Sequence, residues 1–372
     1  MEQTSKINWI NVFKIGGAFT AFQIGAGFAS GQEVMQYFGT YGGMYPVVMP
    51  LIALALVAFY CIATFYTGYK KRFDDPNTAY EYYCGSTLGK VINILTNVVI
   101  GLTCLAMFAG CGATIHQYLG APVWAGALGI GVVSVLVVCL GLEKLTDVLG
   151  VCGIIIIALM VVVGIYNIAT NGSNLMETQK NIGEYVEQGT FLQVTMFGST
   201  NPVLCAIGYV TMGFALVMSY NVGVGPRLNS KKECVAAGIV AAILFVAGVY
   251  CCLLTVLLNL DYVAEFGPMI PMLSAIENSM PYLALPYTIC VCTGIFTTIV
   301  GYLWIMGRRF GGADGSTRQR IVVVAMAVFG IVVGSMIPLN QLVNTIFPIC
   351  SYVGIILMVM MVIRLVKDKD LK

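Results

Sequence analysis

The sequence has few charged residues. Asp, Glu, Lys and Arg make up 10% of its 372 residues, whereas about 25% is usual in a soluble domain. Such a chain cannot cover a globular surface with charge, which excludes a water-soluble fold for most of it. The net charge of +2 gives no indication of nucleic-acid binding.

The sequence also lacks the residues of most catalytic centres. It has a single histidine, His116, and no HExxH motif, which leaves little for a catalytic metal or a Ser–His pair. Its 13 cysteines include no CxxC pair with a zinc-like partner pair, so we interpret them as small buried residues. We therefore expect no enzymatic activity, no catalytic residues and no organic cofactor.

Long apolar stretches dominate the chain instead. Hydrophobic residues make up 59% of it, and its mean hydropathy is +0.88. Residues 1–11 are too polar for a signal peptide, and the apolar stretch after them is too long for one. A helix that crosses a bilayer needs about 20 apolar residues, which predicts ten transmembrane helices, numbered spans 1 to 10. They cover 12–38, 43–69, 88–118, 121–141, 145–169, 200–224, 234–258, 284–307, 320–337 and 342–366.

The basic residues lie on one side of the predicted spans. With an even number of spans both termini share a side, and that side collects all 19 Lys and Arg residues except Lys180. Because basic loops stay in the cytoplasm, we expect a multi-pass protein of the inner membrane with cytoplasmic N- and C-termini. The opposite loops carry acidic residues: Glu177, Glu184, Glu187, Asp261, Glu265 and Glu277.

Ten spans divide into two sets of five. An odd number of spans in each half inverts the second half relative to the first, as in transporters built from inverted repeats. We predict a single transmembrane domain, residues 1–372, with a first repeat over 12–169 and a second over 200–366. The sequence identity between the halves is negligible, so the repeat is inferred from topology alone.

Span 1 has a glycine-rich centre. Gly25, Gly27 and Gly31 lie in it, and each glycine costs about 1 kcal/mol relative to alanine inside a helix. The Ser-Gly-Gln-Glu sequence at 30–33 matches a capping box, which marks a helix start. We predict two half-helices joined by unwound backbone over 25–29, which must line a cavity or be buried in protein. The alternative is a continuous helix whose glycines allow close packing.

Glu33 is an acid deep in an apolar segment. A carboxylate in a membrane span costs at least about 2.5 kcal/mol and marks a functional candidate. Glu33 either completes the cap with Ser30 or takes part in ion or proton coupling. The sequence leaves both interpretations open.

Spans 6 and 8 hold further candidate positions. Gly208 and Gly213 lie near the middle of span 6, and we predict a break at 212–214, since matched breaks in the two halves mark transporter binding sites. A flexible but continuous helix is the alternative. Span 8 carries Thr297 and Thr298, whose hydroxyls and nearby carbonyls suit a monovalent cation such as sodium, although threonine in a helix usually bonds to its own backbone.

Span 1 contains a run, GAGFASGQE from Gly25 to Glu33, that resembles the signature of the YkvI-type membrane proteins. Those proteins are regarded as amino acid permeases of the amino acid–polyamine–organocation superfamily. The plan of ten spans in a five-plus-five arrangement is similar to the LeuT fold across the whole chain. The Gly25-x-Gly27 pair is similar to the unwound motif of its sodium-coupled members.

This resemblance implies a substrate site and an ion site. The amides of Ala26 and Gly27 are expected to bind a substrate carboxylate, and Tyr209 adds an aromatic ring to a mid-sized, mostly apolar pocket. The remaining substrate-site residues are expected to be Gly25, Phe28, Gly213 and Phe214. A sodium site is expected at the carbonyls of Ala21 and Ile24 and the hydroxyls of Thr297 and Thr298. The outer-gate arginine of neurotransmitter-type members is missing, because 30–33 occupy the matching stretch.

The leading hypothesis is sodium-coupled symport of an amino acid or a similar small zwitterionic solute by alternating access. By analogy with the family, spans 1, 2, 6 and 7 rock against spans 3, 4, 8 and 9. A second hypothesis is proton-coupled or exchange transport of amino acids or amines with Glu33 as the carrier, and a third is a channel or a membrane sensor. The expected partners are a small-molecule substrate and the lipid bilayer; the sequence does not indicate an oligomeric state.

Overall fold

The protein is almost entirely helical. A computed structural model describes residues 7–139, 142–313 and 315–368, with the backbone alone over 142–153. Apart from one isolated bridge in the loop before α11, the described residues form no β-structure. The helices are α1 Trp9–Gln23, α2 Ala26–Ser30, α3 Gln32–Tyr37, α4 Tyr45–Lys71, α5 Ala79–Cys84, α6 Ser86–Leu119, α7 Val123–Val138, α8 Leu142–Asn171, α9 Leu175–Thr178, α10 Ile182–Glu187, α11 Pro202–Val224, α12 Lys231–Leu257, α13 Leu260–Phe266, α14 Pro271–Ser279, α15 Ala284–Gly311, α16 Thr317–Gly334 and α17 Leu339–Lys367.

Ten apolar segments of the described chain match the predicted spans. Eight helices are long and apolar enough to cross a membrane: α4, α6, α8, α11, α12, α15, α16 and α17. Helix α7 is apolar but has 16 residues, and α1, α2 and α3 together form a broken tenth segment. The predicted all-α membrane fold is thus confirmed. The end of span 4 at 140–141 and the basic residues Lys6, Lys369 and Lys372 lie outside the described residues, and Lys144 is described by its backbone alone.

Capping residues set where the helices of the second half begin. Asn201 caps α11 by accepting hydrogen bonds from the N–H groups of Val203 at 3.0 Å and Leu204 at 3.1 Å, and a proline occupies the first helical position, where no N–H is needed. Ser230 caps α12 by accepting the N–H of Glu233 at 3.2 Å. These caps satisfy N–H groups that have no partner within the helices.

Two groups of four helices form the body of the protein. Helices α1, α4, α11 and α12 pack through the pairs α1–α12, α4–α11 and α4–α12, and we call them the bundle. Helices α6, α7, α15 and α16 pack through the pairs α6–α7, α6–α15, α7–α16 and α15–α16, and we call them the scaffold. Helix α8 lies against α1 and α12, and α17 lies against α11 and α6. This division matches the spans that the family analogy assigns to two moving parts.

The packing pairs repeat when each span is exchanged with the span five positions away. The pair α1–α8 corresponds to α11–α17, α1–α12 corresponds to α4–α11, and α6–α7 corresponds to α15–α16. Two five-helix halves of the same fold produce this pattern. It agrees with the expected inverted repeat, whose boundaries at 12–169 and 200–366 stay a prediction.

The two ends of the helices differ in charge. Helix α4 ends at Lys70 and Lys71, and the last turn of α15 carries Arg308 and Arg309; we call this side the basic end. Helices α9, α10 and α13 lie in the connections at the opposite, acidic end and carry acids such as Asp261 in their first turns. Helix α1 therefore starts at the basic end and α3 finishes at the acidic end.

The predicted break in span 6 is wrong. Helix α11 runs without interruption from Pro202 to Val224. The 212–214 stretch contains neither a proline nor a side chain that caps a helix end, so its sequence does not favour a break. Gly213 serves close packing instead, because a Cβ atom there would overlap the side-chain amide of Gln23 in α1. Tyr60 donates a hydrogen bond to the Phe214 carbonyl at 2.8 Å, and α11 stays continuous there.

The closest approach of α17 to α11 gives a test of this packing. A Cβ atom at Gly354 would overlap the backbone carbonyl of Thr211, and backbone cannot move aside cheaply. Gly354→Ala is therefore expected to destabilise the protein by about 1–3 kcal/mol, measured as a lower melting temperature of the purified protein in detergent.

Gly101→Ala is the matched control. The nearest atom to a Cβ at Gly101 in α6 is the Met326 Cε at 3.7 Å, an ordinary contact distance. This variant is expected to keep the wild-type melting temperature or to raise it, because alanine favours a helix by roughly 1 kcal/mol over glycine. Equal melting of Gly354→Ala and wild type would contradict the α11–α17 packing.

Candidate functional site

Span 1 is interrupted between α1 and α2, as predicted. Helix α1 ends at Gln23 and α2 begins at Ala26, so Ile24 and Gly25 form the connection. The break is shorter than the predicted 25–29, because Ala26 to Ser30 close a helical turn of their own. The Ala26 N–H donates a hydrogen bond to the Met107 sulfur of α6 at 3.1 Å, a partner that sequence reasoning missed.

A second bend follows at Gly31. Its φ of +87° lies in the left-handed region, which glycine adopts readily, and a Cβ there would approach the Met272 amide nitrogen of α14 to 3.1 Å. The predicted capping box is therefore wrong in its assignment. The N-cap of α3 is Gly31, while the Ser30 hydroxyl donates to the Gly27 carbonyl at 3.1 Å within α2. The left-handed residue redirects the chain before Ser30 can reach the amide of Glu33.

The carbonyl side of the first break faces two threonines of α15. The Thr297 hydroxyl donates to the Ala21 carbonyl at 3.1 Å. The single proton of the Thr298 hydroxyl is within hydrogen-bond reach of the Phe22 carbonyl at 3.3 Å and of the Ile24 carbonyl at 3.2 Å. Thr297 and Thr298 are 0% and 1% exposed. The structure thus brings together the four residues expected to form an ion site.

A fifth and a sixth oxygen join this cluster. Both threonine hydroxyls also contact the Gly294 carbonyl, at 2.7 Å and 3.2 Å, and the Phe22 carbonyl adds another acceptor. A Cβ at Gly294 would approach the Ile24 carbonyl to 3.1 Å, so glycine allows α15 to come this close to the break. Threonine in a helix often bonds to the carbonyl three or four residues earlier. The positions of Thr297 and Thr298 in the sequence could therefore have pointed to the Gly294 carbonyl as a further ligand. The donor set is neutral oxygen only, which fits a monovalent hard cation and lacks the carboxylates of a calcium site.

The side chain of Glu33, in α3, lies against the first turn of α2. Its side chain is 4% exposed, and it lies so close to Gly27 that a Cβ there would overlap the carboxyl group. The backbone amide of Phe28 is its hydrogen-bond partner. The protein's own carboxyl group therefore occupies the part of α2 to which the resemblance assigns a substrate carboxylate.

The residues expected to bind substrate fall into two places. Phe28 stacks on Phe245 of α12 with ring centroids 5.5 Å apart, and Tyr209 packs against the same ring at 6.1 Å. Of the expected α2 residues, Gly27 lies directly against the Glu33 carboxyl group, whereas a Cβ at Gly25 would meet Met107 and Thr298. Phe214, by contrast, stacks on Tyr60 at 3.8 Å within the bundle, and Gly213 contacts Gln23. Sequence reasoning missed Phe245, which no motif marks.

Amide side chains and the α13–α14 segment cover the acidic end of the site. The Gln32 amide donates to the Pro268 and Met269 carbonyls of the α13–α14 connection. Gln36 donates to Gln32 at 3.0 Å, and Asn344 of α17 donates to Gln36 at 3.2 Å. Neutral amides thus join α3 to the α13–α14 connection and to α17.

A cavity of about 510 Å³ lies at the basic end. It is bounded by Ser219 of α11, by the end of α15 with Trp304, Arg308 and Arg309, and by the connection after α4 with Asn77. Ser219 donates to Asn77 at 2.9 Å across its wall. A second cavity, of about 450 Å³, lies at the acidic end beside the α13–α14 connection, with Gln117, Pro268 and Met269 in its wall. Each end of the molecule therefore has a cavity.

The fold is that of the LeuT-type membrane transporters. The structure of MhsT in complex with L-phenylalanine matches with a TM-score of 0.63 at 13% identity, covering 92% of this chain and 87% of that one. A Na⁺-coupled sialic acid symporter matches at 0.60 and 13% identity, covering 95% and 78%. A manganese transporter of Eremococcus coleocola matches at 0.60 and 15% identity, covering 98% and 80%. At these identities the likeness defines the fold.

Two distant homologues come from Bacillus subtilis (strain 168). The uncharacterised protein YyaD is 24% identical over 354 residues, which is 93% of this chain and 94% of YyaD. The uncharacterised membrane protein YkvI is 20% identical over 346 residues, or 89% and 90% of the two chains. The resemblance to YkvI-type proteins is thereby confirmed. No protein-family profile matches the chain.

The contact between Gly27 and Glu33 can be tested by a double-mutant cycle. Gly27→Ala is expected to displace the Glu33 side chain from the Phe28 amide and to lower the melting temperature. In a Glu33→Ala background the same change should cost little, because the atoms that it meets are gone. We expect a coupling energy of about 1 kcal/mol or more, within the range for residues in contact.

Gly101→Ala serves again as the reference, since it lies in open packing. Its effect should add to that of Glu33→Ala within roughly 0.5 kcal/mol. If the changes in the free energy of unfolding for Gly27→Ala and Glu33→Ala also add within this margin, the carboxyl group does not lie against Gly27.

Proposed function

We propose that this protein is a sodium-coupled secondary transporter that carries an amino acid or a similar small zwitterionic solute by alternating access. The observation that supports this most directly is the oxygen cluster at the first break of span 1. It joins helix α1 of the bundle to helix α15 of the scaffold through hydroxyls and free carbonyls.

A cation in this cluster would couple the two parts of the protein. Its ligands come from both the bundle and the scaffold, so it binds most tightly in the arrangement that holds them together. By linkage, the solute and the cation then raise each other's affinity if they favour the same arrangement. MhsT, solved with L-phenylalanine, and the Na⁺-coupled sialic acid symporter share the fold, which supports an ion-coupled carrier of a small solute.

Each end of the molecule has a cavity, as a carrier that opens to alternate sides requires. One of about 510 Å³ lies at the basic end. The other, of about 450 Å³, lies at the acidic end beside the α13–α14 connection, to which Gln32 is bonded. The positive-inside rule places the basic end in the cytoplasm, with both termini on that side of the inner membrane. The cavity at the basic end would then be the route to and from the cytoplasm, and the one at the acidic end would face the opposite side.

The threonine pair gives the test of sodium binding. In Thr298→Val a methyl group replaces the hydroxyl that faces two carbonyls of span 1. We expect the purified wild-type protein to melt at a higher temperature in sodium chloride than in potassium chloride at equal ionic strength. The variant should lose this difference, with a sodium affinity at least about tenfold lower, or 1.4 kcal/mol.

Two further variants make the result specific. Thr288 lies in the same helix and is buried, but its hydroxyl donates only to the Ala284 carbonyl of its own turn, at 2.9 Å; Thr288→Val should therefore keep the sodium effect. Thr298→Ser retains a hydroxyl and should restore it. A sodium effect that survives Thr298→Val unchanged would show that the cation binds elsewhere.

Proton coupling through Glu33 is the second candidate, favoured by the burial of this carboxyl group beside a single backbone amide. A proton carrier must titrate during the cycle, whereas glutamine cannot. If Glu33 carries the proton, Glu33→Gln should abolish the pH dependence of uptake into proteoliposomes. Uptake by the variant that follows pH as the wild type does would exclude Glu33 from this role.

A further inference from the structure

The structure contains two buried acids among its described residues, and they differ in how they are held. Glu233 is 1% exposed and accepts three hydrogen bonds, from the Asn8 N–H at 2.8 Å and from the backbone and side chain of Asn229 at 2.6 Å and 2.9 Å. Glu33 has the Phe28 amide alone as a hydrogen-bond partner. A carboxylate accepts about four hydrogen bonds, so Glu33 keeps most of its capacity unused.

No basic side chain of the described residues pairs with Glu33. Basic residues of the predicted spans stand at their ends, and the nearest in sequence are Lys14 and Lys70. A buried carboxylate without a counter-charge is costly, and it is stabilised by a cation or by a proton. The site therefore favours a ligand that brings a positive charge.

Tyr209 supplies an independent observation at the same place. Its side chain is 2% exposed, and its hydroxyl has no hydrogen-bond partner in the described part of the chain. Tyr37 lies four residues after Glu33 on the same face of α3, and its ring packs against that of Tyr209 with centroids 5.4 Å apart. A buried hydroxyl without a partner loses the hydrogen bond that it makes in water, and a ligand donor or acceptor between Glu33 and this hydroxyl would restore it.

Aromatic rings complete the surroundings of these two groups. Tyr209 packs against Tyr37 at 5.4 Å, Phe38 at 4.7 Å and Phe245 at 6.1 Å between ring centroids. Phe245 in turn stacks on Phe28 with ring centroids 5.5 Å apart. Aromatic faces attract ammonium groups, more strongly when water is excluded. Carboxylate, hydroxyl and aromatic faces together are the chemistry of an amine site.

We propose that Glu33 and Tyr209, within the ring cluster of Phe28, Tyr37, Phe38 and Phe245, bind the ammonium group of the transported solute. This proposal rests on the proposed function, in that it assumes a small solute bound beside α2. It makes the amine the group that the protein recognises. The carboxyl group of Glu33 accepts hydrogen bonds from the ammonium, and the tyrosine hydroxyl accepts another.

The amides of α2 support this choice over recognition of a substrate carboxylate. The Ala26 N–H donates to the Met107 sulfur, and the Phe28 amide is paired with Glu33. An incoming carboxylate would meet the carboxyl group of Glu33 at close range, where like charges repel. An ammonium group at the same position is attracted.

The experiment compares three forms of one side chain. Purified full-length protein is melted with leucine, with isopentylamine, which lacks the carboxylate, and with N-acetylleucine, which lacks the ammonium; the triplet is repeated on phenylalanine. We expect the amino acid and the amine to raise the melting temperature by a few degrees, about 2–4 °C, and the N-acetyl acid to leave it unchanged.

Variants assign the effect to the proposed residues. Glu33→Gln keeps the size of the side chain and should weaken amine binding about 30-fold or more, as expected when one partner of a buried charge pair is removed. Tyr209→Phe removes one hydroxyl and should weaken it less. Glu233→Gln changes the other buried acid and should keep the ligand-induced shift, whatever its own melting temperature.

Three outcomes overturn the proposal, two of them by specific results and the third by a lack of amine binding. One is stabilisation by the N-acetyl acids but by neither amine, and the other is Glu33→Gln binding the amines as the wild type does. A protein stabilised by no amine of either triplet also contradicts it.

Uptake into proteoliposomes separates this proposal from the proposed function. Amine binding that depends on Glu33 without sodium-driven uptake would leave the amine site standing and remove the transporter. Sodium-driven uptake of N-acetyl acids would do the opposite.

Discussion

The structure depends on two residues of backbone that leave the helix inside the apolar body of the protein. The Gly25 N–H donates to the Gln23 carbonyl at 2.9 Å and the Ala26 N–H donates to the Met107 sulfur. The carbonyls four residues before them, of Ala21 and Phe22, thus lose their helical partners, and lipid offers no replacement. The hydroxyls of Thr297 and Thr298 satisfy the carbonyls of this break from the scaffold side. The hydrogen bonds that reach these carbonyls thus also connect the bundle to the scaffold. A substitution of either threonine therefore affects both groups of helices.

Much of this could be predicted from the sequence because the relevant signals are local. Apolar length defines the spans, and three glycines with few strong helix formers between them indicate the break in span 1. The threonine pair could be placed because its neutral oxygens suit a cation. The capping-box prediction was wrong because a Ser-x-x-Glu pattern does not reveal that Gly31 adopts a left-handed conformation. This conformation ends α2 at Ser30 before α3 begins at Gln32.

The remaining features depend on contacts between distant parts of the chain. Gly213 and Gly25 look alike in sequence, yet one receives the Gln23 side chain in an intact helix and the other joins two helices. The difference lies in the neighbours, which a single sequence does not reveal. The same holds for the Met107 sulfur on the Ala26 amide. It also holds for Phe245 of the second half, which packs against both Phe28 of the first half and Tyr209.

Charge balance links the two proposed sites. The oxygen cluster is neutral, so a sodium ion there adds one positive charge, and Glu33 supplies one negative charge. An ammonium group bound at Glu33 leaves the pair of sites with a net positive charge in a medium of low dielectric constant, where this is costly. A solute that carries its own carboxylate removes that excess. A zwitterion that binds through its ammonium group therefore leaves the two sites together without net charge. The binding of the cation becomes more favourable when the zwitterion is present, as coupling requires.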